Sequence, residues 1–244
     1  YGIVADSKAV ARDIFISFVD TAPLASDLEF VLKDEVESIK LAIRSLYGFT
    51  SGNVYLCFAQ NSVLMDKLPD DPEIVKVVVK GKHPAGLVGT QINTLKPINK
   101  GDVVWTIPAI NLPIIGRLLK NGEYQPEKLI AFAGSEVKNP QYYNVRIGAD
   151  LTSLCESNLL SKNVRVISGN VLSGIDISKS MYLGFNDMQV SVIPEGDAYE
   201  MFGWLLPGAD KCSNSRTFLS MLMPWKSFRL DTNTHGEERA YVVN

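Results

Sequence analysis

At 244 residues the chain is long enough to bury roughly 70% of the surface its unfolded form exposes, so neither a disulfide nor a structural metal is required for stability. A formal net charge of −3 gives no electrostatic drive toward nucleic acid, and a composition of 46% apolar and 21% charged residues is that of an ordinary globular protein. The longest apolar runs fall far short of the ~20 residues that cross a bilayer, and no signal peptide is visible.

Tyr1 stands where an initiator Met is usual, and the extended-looking Ala240-Tyr-Val-Val-Asn244 ends the chain. Both ends read as cut, so a longer parent protein is expected. Cys57, Cys155 and Cys212 are far apart and form no C-x-x-C pair. That argues for a reducing compartment and against an iron–sulfur cluster. With His83 and His235 as the only histidines, a zinc site would need scattered parts.

Ile14-Phe-Ile-Ser-Phe-Val19 is almost wholly apolar, as in a strand covered on both faces. It ends in Asp20-Thr-Ala-Pro23, a transition of the kind that lines ligand sites in open α/β sheets. Asp20 is a hydrogen-bond acceptor for a ligand there, or simply the cap of the turn. From the N-cap Asp27 to a C′ residue at Gly48, the residues Leu28, Leu32, Val36, Ile39, Ile43 and Leu46 draw one stripe, predicting a single helix about 30 Å long. A second buried strand covers 53–59, with Cys57 as a small core residue. Pro69, Asp70, Asp71 and Pro72 mark an exposed loop, and a third strand covers 74–79.

The stretch Lys80-Gly-Lys-His-Pro-Ala-Gly-Leu-Val-Gly-Thr-Gln91 then runs from strand into a helix expected over 87–95. Such a junction points backbone N–H groups at a possible anion or polar head group. Gly86 and Gly89 lack a Cβ that would hold a ligand away, and His83 carries the side-chain type that changes charge near neutrality. The plain alternative is that Pro84 and Gly86 turn the chain and His83 sits on the surface. His83, Gly86, Gly89 and Asp20 are the candidate ligand-binding residues.

Further on, a strand is predicted over 102–107 and a helix from Ile110 or Pro113 to Asn121-Gly122. A strand over 128–133 completes an alternation that implies a mostly parallel sheet across residues 1–135. Beyond it, strands over 142–147, 164–167, 188–193 and 200–205 around a short helix over 150–160 suggest an α+β module such as a β-grasp fold. The boundary is expected near 135–145. Phe218-Leu-Ser-Met-Leu-Met-Pro-Trp225 is apolar enough to form an interface or a last core layer. There is no G-x-G-x-x-G, no P-loop and no nucleophile elbow, so no catalytic residue and no metal site is assigned.

Five stretches in order resemble one family: Phe18-Val-Asp-Thr-Ala-Pro-Leu-Ala25, Lys82-His-Pro-Ala-Gly-Leu-Val-Gly-Thr90, Arg146-Ile-Gly-Ala149, Val164-Arg-Val-Ile-Ser-Gly-Asn-Val-Leu-Ser-Gly174 and Phe202-Gly-Trp-Leu-Leu-Pro-Gly208. Together they are similar to the A-subunit of the bacterial sodium-translocating NADH:quinone oxidoreductase, without its N-terminal barrel-sandwich and C-terminal regions. The resemblance implies a Rossmann-like α/β domain over 1–138, like that of the complex I flavoprotein subunit, and a β-grasp soluble-ligand-binding domain over 139–210. Residues 211–244 would begin a C-terminal segment. It further implies a peripheral protein on the cytoplasmic face of the bacterial inner membrane, docked mainly on the membrane-embedded B-subunit. Such a protein contributes to quinone reduction in a pump that couples NADH oxidation to sodium export. No tightly bound redox cofactor is expected in this chain; NADH and flavins would be handled by other subunits, and the fragment alone would be inactive. Two other readings stand beside it: a flavin-binding electron-transfer module of the Rnf type, and a non-catalytic scaffold.

Overall fold

A computed structural model of the chain describes residues 4, 6, 8–196, 201–211 and 218–228. Two sheets organise it. The first is built from β1 (Asp13–Ser17), β2 (Val54–Ala59), β3 (Ile74–Val79) and β4 (Val104–Pro108), in the order β3-β2-β1-β4. Every pairing in it is parallel. Alternation along the strands sends successive side chains to opposite faces. Ile14, Ile16, Val54, Leu56 and Phe58 enter the large core on one face. Phe15 and Cys57 point to the other, where they meet Ile92. Cys57 is fully buried, and that burial pushes its thiol up to about 11.

The stripe from Leu28 to Leu46 folds as two helices, α1 (Leu28–Leu32) and α2 (Val36–Ser45), followed by a 3-10 turn over Leu46–Phe49. Asp27 caps α1 as expected, its Oδ1 accepting from the Glu29 and Phe30 amides. Lys33, Asp34 and Glu35 break the helix, and Gly48 lies inside the 3-10 turn rather than beyond a helix end. The i, i+4 step from Leu32 to Val36 survives the break, so the apolar pattern does not reveal it. A short helix, α3 (Val63–Lys67), precedes the loop marked by Pro69 to Pro72. Next come α4 (Val88–Leu95), which carries Ile92 to the second face, and α5 (Leu112–Asn121), closed at Gly122 with φ 73°. α5 packs along α2.

The strand over 128–133, expected to finish the first sheet, belongs to the second. As β5 (Glu127–Ala133) it pairs antiparallel with β6 (Gln141–Arg146) and parallel with β9 (Gln189–Pro194). The second sheet has the order β6-β5-β9-β7-β8, with β7 (Val164–Ser168) and β8 (Ile175–Asp176) on its far side and α6 (Thr152–Asn158) between β6 and β7 in sequence. First and last strands side by side and parallel, with a hairpin on one flank and a crossing helix, make a β-grasp arrangement. The sheets therefore part between Asn121 and Glu127, not within 135–145. The segment 128–133 reads as a further βαβ strand because an apolar run identifies a strand and not its partner, and both partners of β5 come later in the chain.

The strand expected over 200–205 is not formed in its described part. Gly203–Leu205 is a 3-10 turn, and Glu200 lies outside the described residues. In the apolar stretch after 218, Leu219–Leu222 forms another short turn, and Leu219, Met221, Leu222 and Trp225 are at least half exposed. Residues 212–217 and 229–244, with Cys212 and His235, lie outside the described residues. Among those described, no helix is long and apolar enough to cross a membrane.

Candidate functional site

The structure brings three of the four predicted site residues to the carboxyl end of the parallel sheet. Thr21, just past β1, is the hub. Its Oγ1 accepts from the Gly86 amide at 2.9 Å and lies 3.2 Å from His83 Nδ1. The His83–Pro84 peptide is cis. Asp20 caps its own turn, Oδ1 accepting from the Ala22 amide at 2.9 Å. Gly89 sits apart from this contact, in the first turn of α4. Behind the turn, Gln91 is buried and donates to Ser17 Oγ at 2.9 Å and to the Ala85 carbonyl at 3.2 Å.

This cluster latches two loops together. The open backbone face expected at Gly86 is filled from within: a Cβ there would lie 2.5 Å from the Thr21 nitrogen and 2.8 Å from its Oγ1. The glycine permits close approach of the protein's own backbone rather than of a ligand. Thr21 is the partner that sequence reasoning missed. Its only signal was its place in the strand-to-loop transition after β1.

Open space lies instead at the seam between the sheets. A cavity of about 370 Å³ is bounded by Ile107 and Pro108 at the end of β4, by Asn111 just before α5, by Ile114, Ile115 and Leu118 along it, by Tyr124 in the connection to β5, and by Phe185 and Asn186 from the second unit. Its size falls among small-molecule sites, roughly 300–1,000 Å³. It also sits at the carboxyl end of an open parallel sheet, where such folds bind ligands.

Part-buried hydrogen bonds fix the wall that carries Phe185. Lys128 Nζ donates to the Phe185 carbonyl at 2.8 Å, the Gly184 amide donates to Ser168 Oγ at 2.9 Å, and Ser168 Oγ in turn donates to Asp187. Burial depresses the Lys128 pKa to about 8, against the opposing pull of Asp187. Across the seam, Asn111 Nδ2 donates to Asn186 Oδ1 at 2.9 Å. No group of three or more His, Cys, Asp and Glu side chains placed to hold a metal occurs among the described residues.

Comparison with known proteins places the whole chain. Residues 1–124 match the model of the NqrA second alpha/beta domain, and residues 129–179 match that of the NQRA C-terminal domain. The two matches divide where the two sheets part. The A-subunit of the Na(+)-translocating NADH-quinone reductase from Yersinia pestis bv. Antiqua is 38% identical over 232 residues, 95% of this chain and 52% of that protein. The corresponding protein of Actinobacillus pleuropneumoniae serotype 5b is 40% identical over 240 residues, with 96% and 52% covered. The chain thus spans about half the length of the curated relatives it matches. Among solved structures, an NAD+-reducing [NiFe]-hydrogenase in the H2-reduced state superposes with a TM-score of 0.54 at 13% identity, covering 75% of this chain and 40% of the hydrogenase chain. That likeness is one of fold. With its first sheet and its β-grasp module each matched in order, the chain belongs to the NqrA family, the A-subunits of Na(+)-translocating NADH-quinone reductases.

Proposed function

We propose that this chain is the central part of a peripheral subunit of a respiratory sodium pump, and that this subunit docks on the pump's membrane part and takes part in quinone binding and reduction. The observation that carries this reading is the ordered match of both units to one family, at 36–40% identity across nearly all of the chain. In this reading NADH and flavins are handled on other subunits, no redox cofactor is held tightly here, and the membrane-embedded B-subunit is the main partner. The protein works from the cytoplasmic face. The fragment alone turns nothing over, because electron entry and sodium transfer lie elsewhere in the complex.

The geometry supports a role in holding a head group. A cavity with apolar walls and few polar groups suits a flat, weakly polar ring. The contacts of Thr21 with the Gly86 amide and His83 Nδ1 support a second role for that turn in joining two loops of the scaffold.

The test uses inverted membrane vesicles from a bacterium lacking the gene for the full-length protein. NADH-driven, sodium-stimulated quinone reduction and sodium uptake are both expected to be lost, and both to return when the full-length protein is supplied. Sodium-stimulated quinone reduction that persists without it would overturn the proposal. Visible flavin absorbance that stays with the purified protein would move it to the flavin-carrying class.

A further inference from the structure

The edge of a sheet presents unpaired N–H and C=O groups, and native proteins blunt it with a short strand, polar or charged side chains, proline, or a covering segment. The two sheets have four such edges among the described residues. Three are blunted. β8 is two residues long. β6 exposes Gln141, Asn144 and Arg146. β4 ends at Pro108, where it borders the seam cavity.

The fourth edge, β3, has none of these guards. It runs for six residues, Ile74-Val-Lys-Val-Val-Val79, without proline or glycine. Its one charge is tied down: Lys76 Nζ donates to the Leu68 carbonyl at 3.0 Å and lies 3.5 Å from Asp70. The Val54 amide donates to the Glu73 carbonyl, and Val54 stands opposite Ile74. In a parallel ladder of that phase, Val75, Val77 and Val79 bond to β2, and the N–H and C=O of Lys76 and Val78 point outward. No backbone partner for those outward groups occurs among the described residues. The Val78 side chain is half exposed. Val77 and Val79 stay only partly buried, at the margin of the small cluster formed by Phe15, Cys57 and Ile92. Parallel sheets are ordinarily covered on both faces, so β3 carries an uncovered edge and a thinly covered face together.

We infer that a further strand pairs along β3, apolar at alternate positions and free of proline, and that the part of the parent polypeptide outside this chain supplies it. This rests on the reading of the chain as part of a longer subunit, and not on quinone chemistry. The chain spans 52% of its relatives, so a comparable length of polypeptide is at hand in the same molecule. A tethered segment acts at a millimolar effective concentration, and a longer tether weakens that only slowly. A partner subunit or a second copy arrives after synthesis. Until then an unguarded β-branched edge is open to mispairing. A strand from the same polypeptide closes it as the protein folds.

The experiment follows amide hydrogen exchange, residue by residue, in the full-length protein purified without its partner subunits. The Lys76 and Val78 amides are expected to exchange as slowly as those of Val75 and Val77, at least about a hundredfold more slowly than unpaired amides. Val78→Pro removes one outward donor and leaves the bonds to β2 in place. Proline is tolerated where the lost N–H faces solvent and is costly inside a sheet, so this variant of the full-length protein is expected to melt several degrees lower. Fast exchange at Lys76 and Val78 beside slow exchange at Val75 and Val77, or an unchanged Tm in Val78→Pro, overturns the added strand. Protection that appears only in the assembled pump, or that fades as the purified protein is diluted, assigns the edge to a partner subunit or a second copy and overturns the assignment to the parent polypeptide. If exchange is fast while the vesicle assay shows the protein to be required, the strand fails and the functional reading stands. If exchange is slow while the protein proves dispensable, the strand stands and the functional reading fails.

Discussion

Lys128 lies one residue inside β5, only 4% exposed, with its ammonium against the Phe185 carbonyl. Burial of that charge holds its pKa near 8, well below the ordinary 10.5. Between those two values the unfolded chain keeps a proton that the folded chain has released. Folding stability therefore rises with pH through the window from about 8 to 10.5, and below it the buried charge weighs fully against the fold. The full effect is up to roughly 3 kcal/mol. Cys57 and Cys155, both held up near 11 by burial, act in the opposite direction at high pH, so the effect is best read against a variant. Urea unfolding of the unmodified protein and of Lys128→Met at pH 7 and pH 10.5 isolates it. The unmodified protein should gain about 2–3 kcal/mol on the variant between the two pH values. A difference that stays flat with pH would show that Lys128 titrates normally in the folded state.

The contact between α2 and α5 shows at the level of elements how packing overrides local preference. Gly116 lies in the middle of α5, where alanine should favour a helix by about 1 kcal/mol. Yet a Cβ there would fall 1.9 Å from the Ser38 carbonyl oxygen and 2.7 Å from its Cα, both part of the α2 backbone. The neighbour cannot yield as a side-chain tip would, so Gly116→Ala is expected to destabilise by about 1–3 kcal/mol. A thermal melt checks the sign: a higher Tm would mean that propensity had won. The same distinction governs what was legible beforehand. The strands of the first sheet, the helices over 88–95 and 112–121, and the Asp27 cap follow from apolar runs and capping chemistry within a few residues. The break between α1 and α2 was hidden because the stripe keeps its phase across Lys33–Glu35. The membership of β5 was hidden because its partners come later. In the latch, the strand, turn and helix around His83 were readable, but the space filled by Thr21 depends on a residue about 65 positions away. The seam cavity left no local mark. Its lining residues from 106–124 and 185–186 look like core in sequence, and Asn111 looks like a cap.

On the scale of the whole molecule, the two sheets carry two family matches and separate interior clusters, two on the faces of the first sheet and one against the second, which suggests two units melting separately. The seam argues otherwise. The Tyr142 ring of β6 lies 4.8 Å from that of Phe30 in α1, centroid to centroid, and its hydroxyl accepts from the Asp27 amide at 2.9 Å. Gln189 of β9 donates to the Pro23 carbonyl, and Arg117 of α5 donates to the carbonyls of Gln125 and Glu127 as the chain enters β5. Leu129, Tyr142 and Met188 from the second unit also pack into the core of the first. Loss of either sheet would expose apolar surface on the other, and at about 25 cal/mol per Å² even roughly 200 Å² amounts to about 5 kcal/mol. That is comparable with the whole stability of a small domain, so coupling should exceed the difference between the units. Calorimetry of this chain is expected to give one transition with calorimetric and van't Hoff enthalpies in agreement. Tyr142→Ala, which removes the ring and the hydroxyl from the seam, should lower that Tm and split the peak as coupling falls. Two resolved transitions in the unmodified chain would mean that each sheet stands on its own core, and that the cavity between them opens without unfolding either.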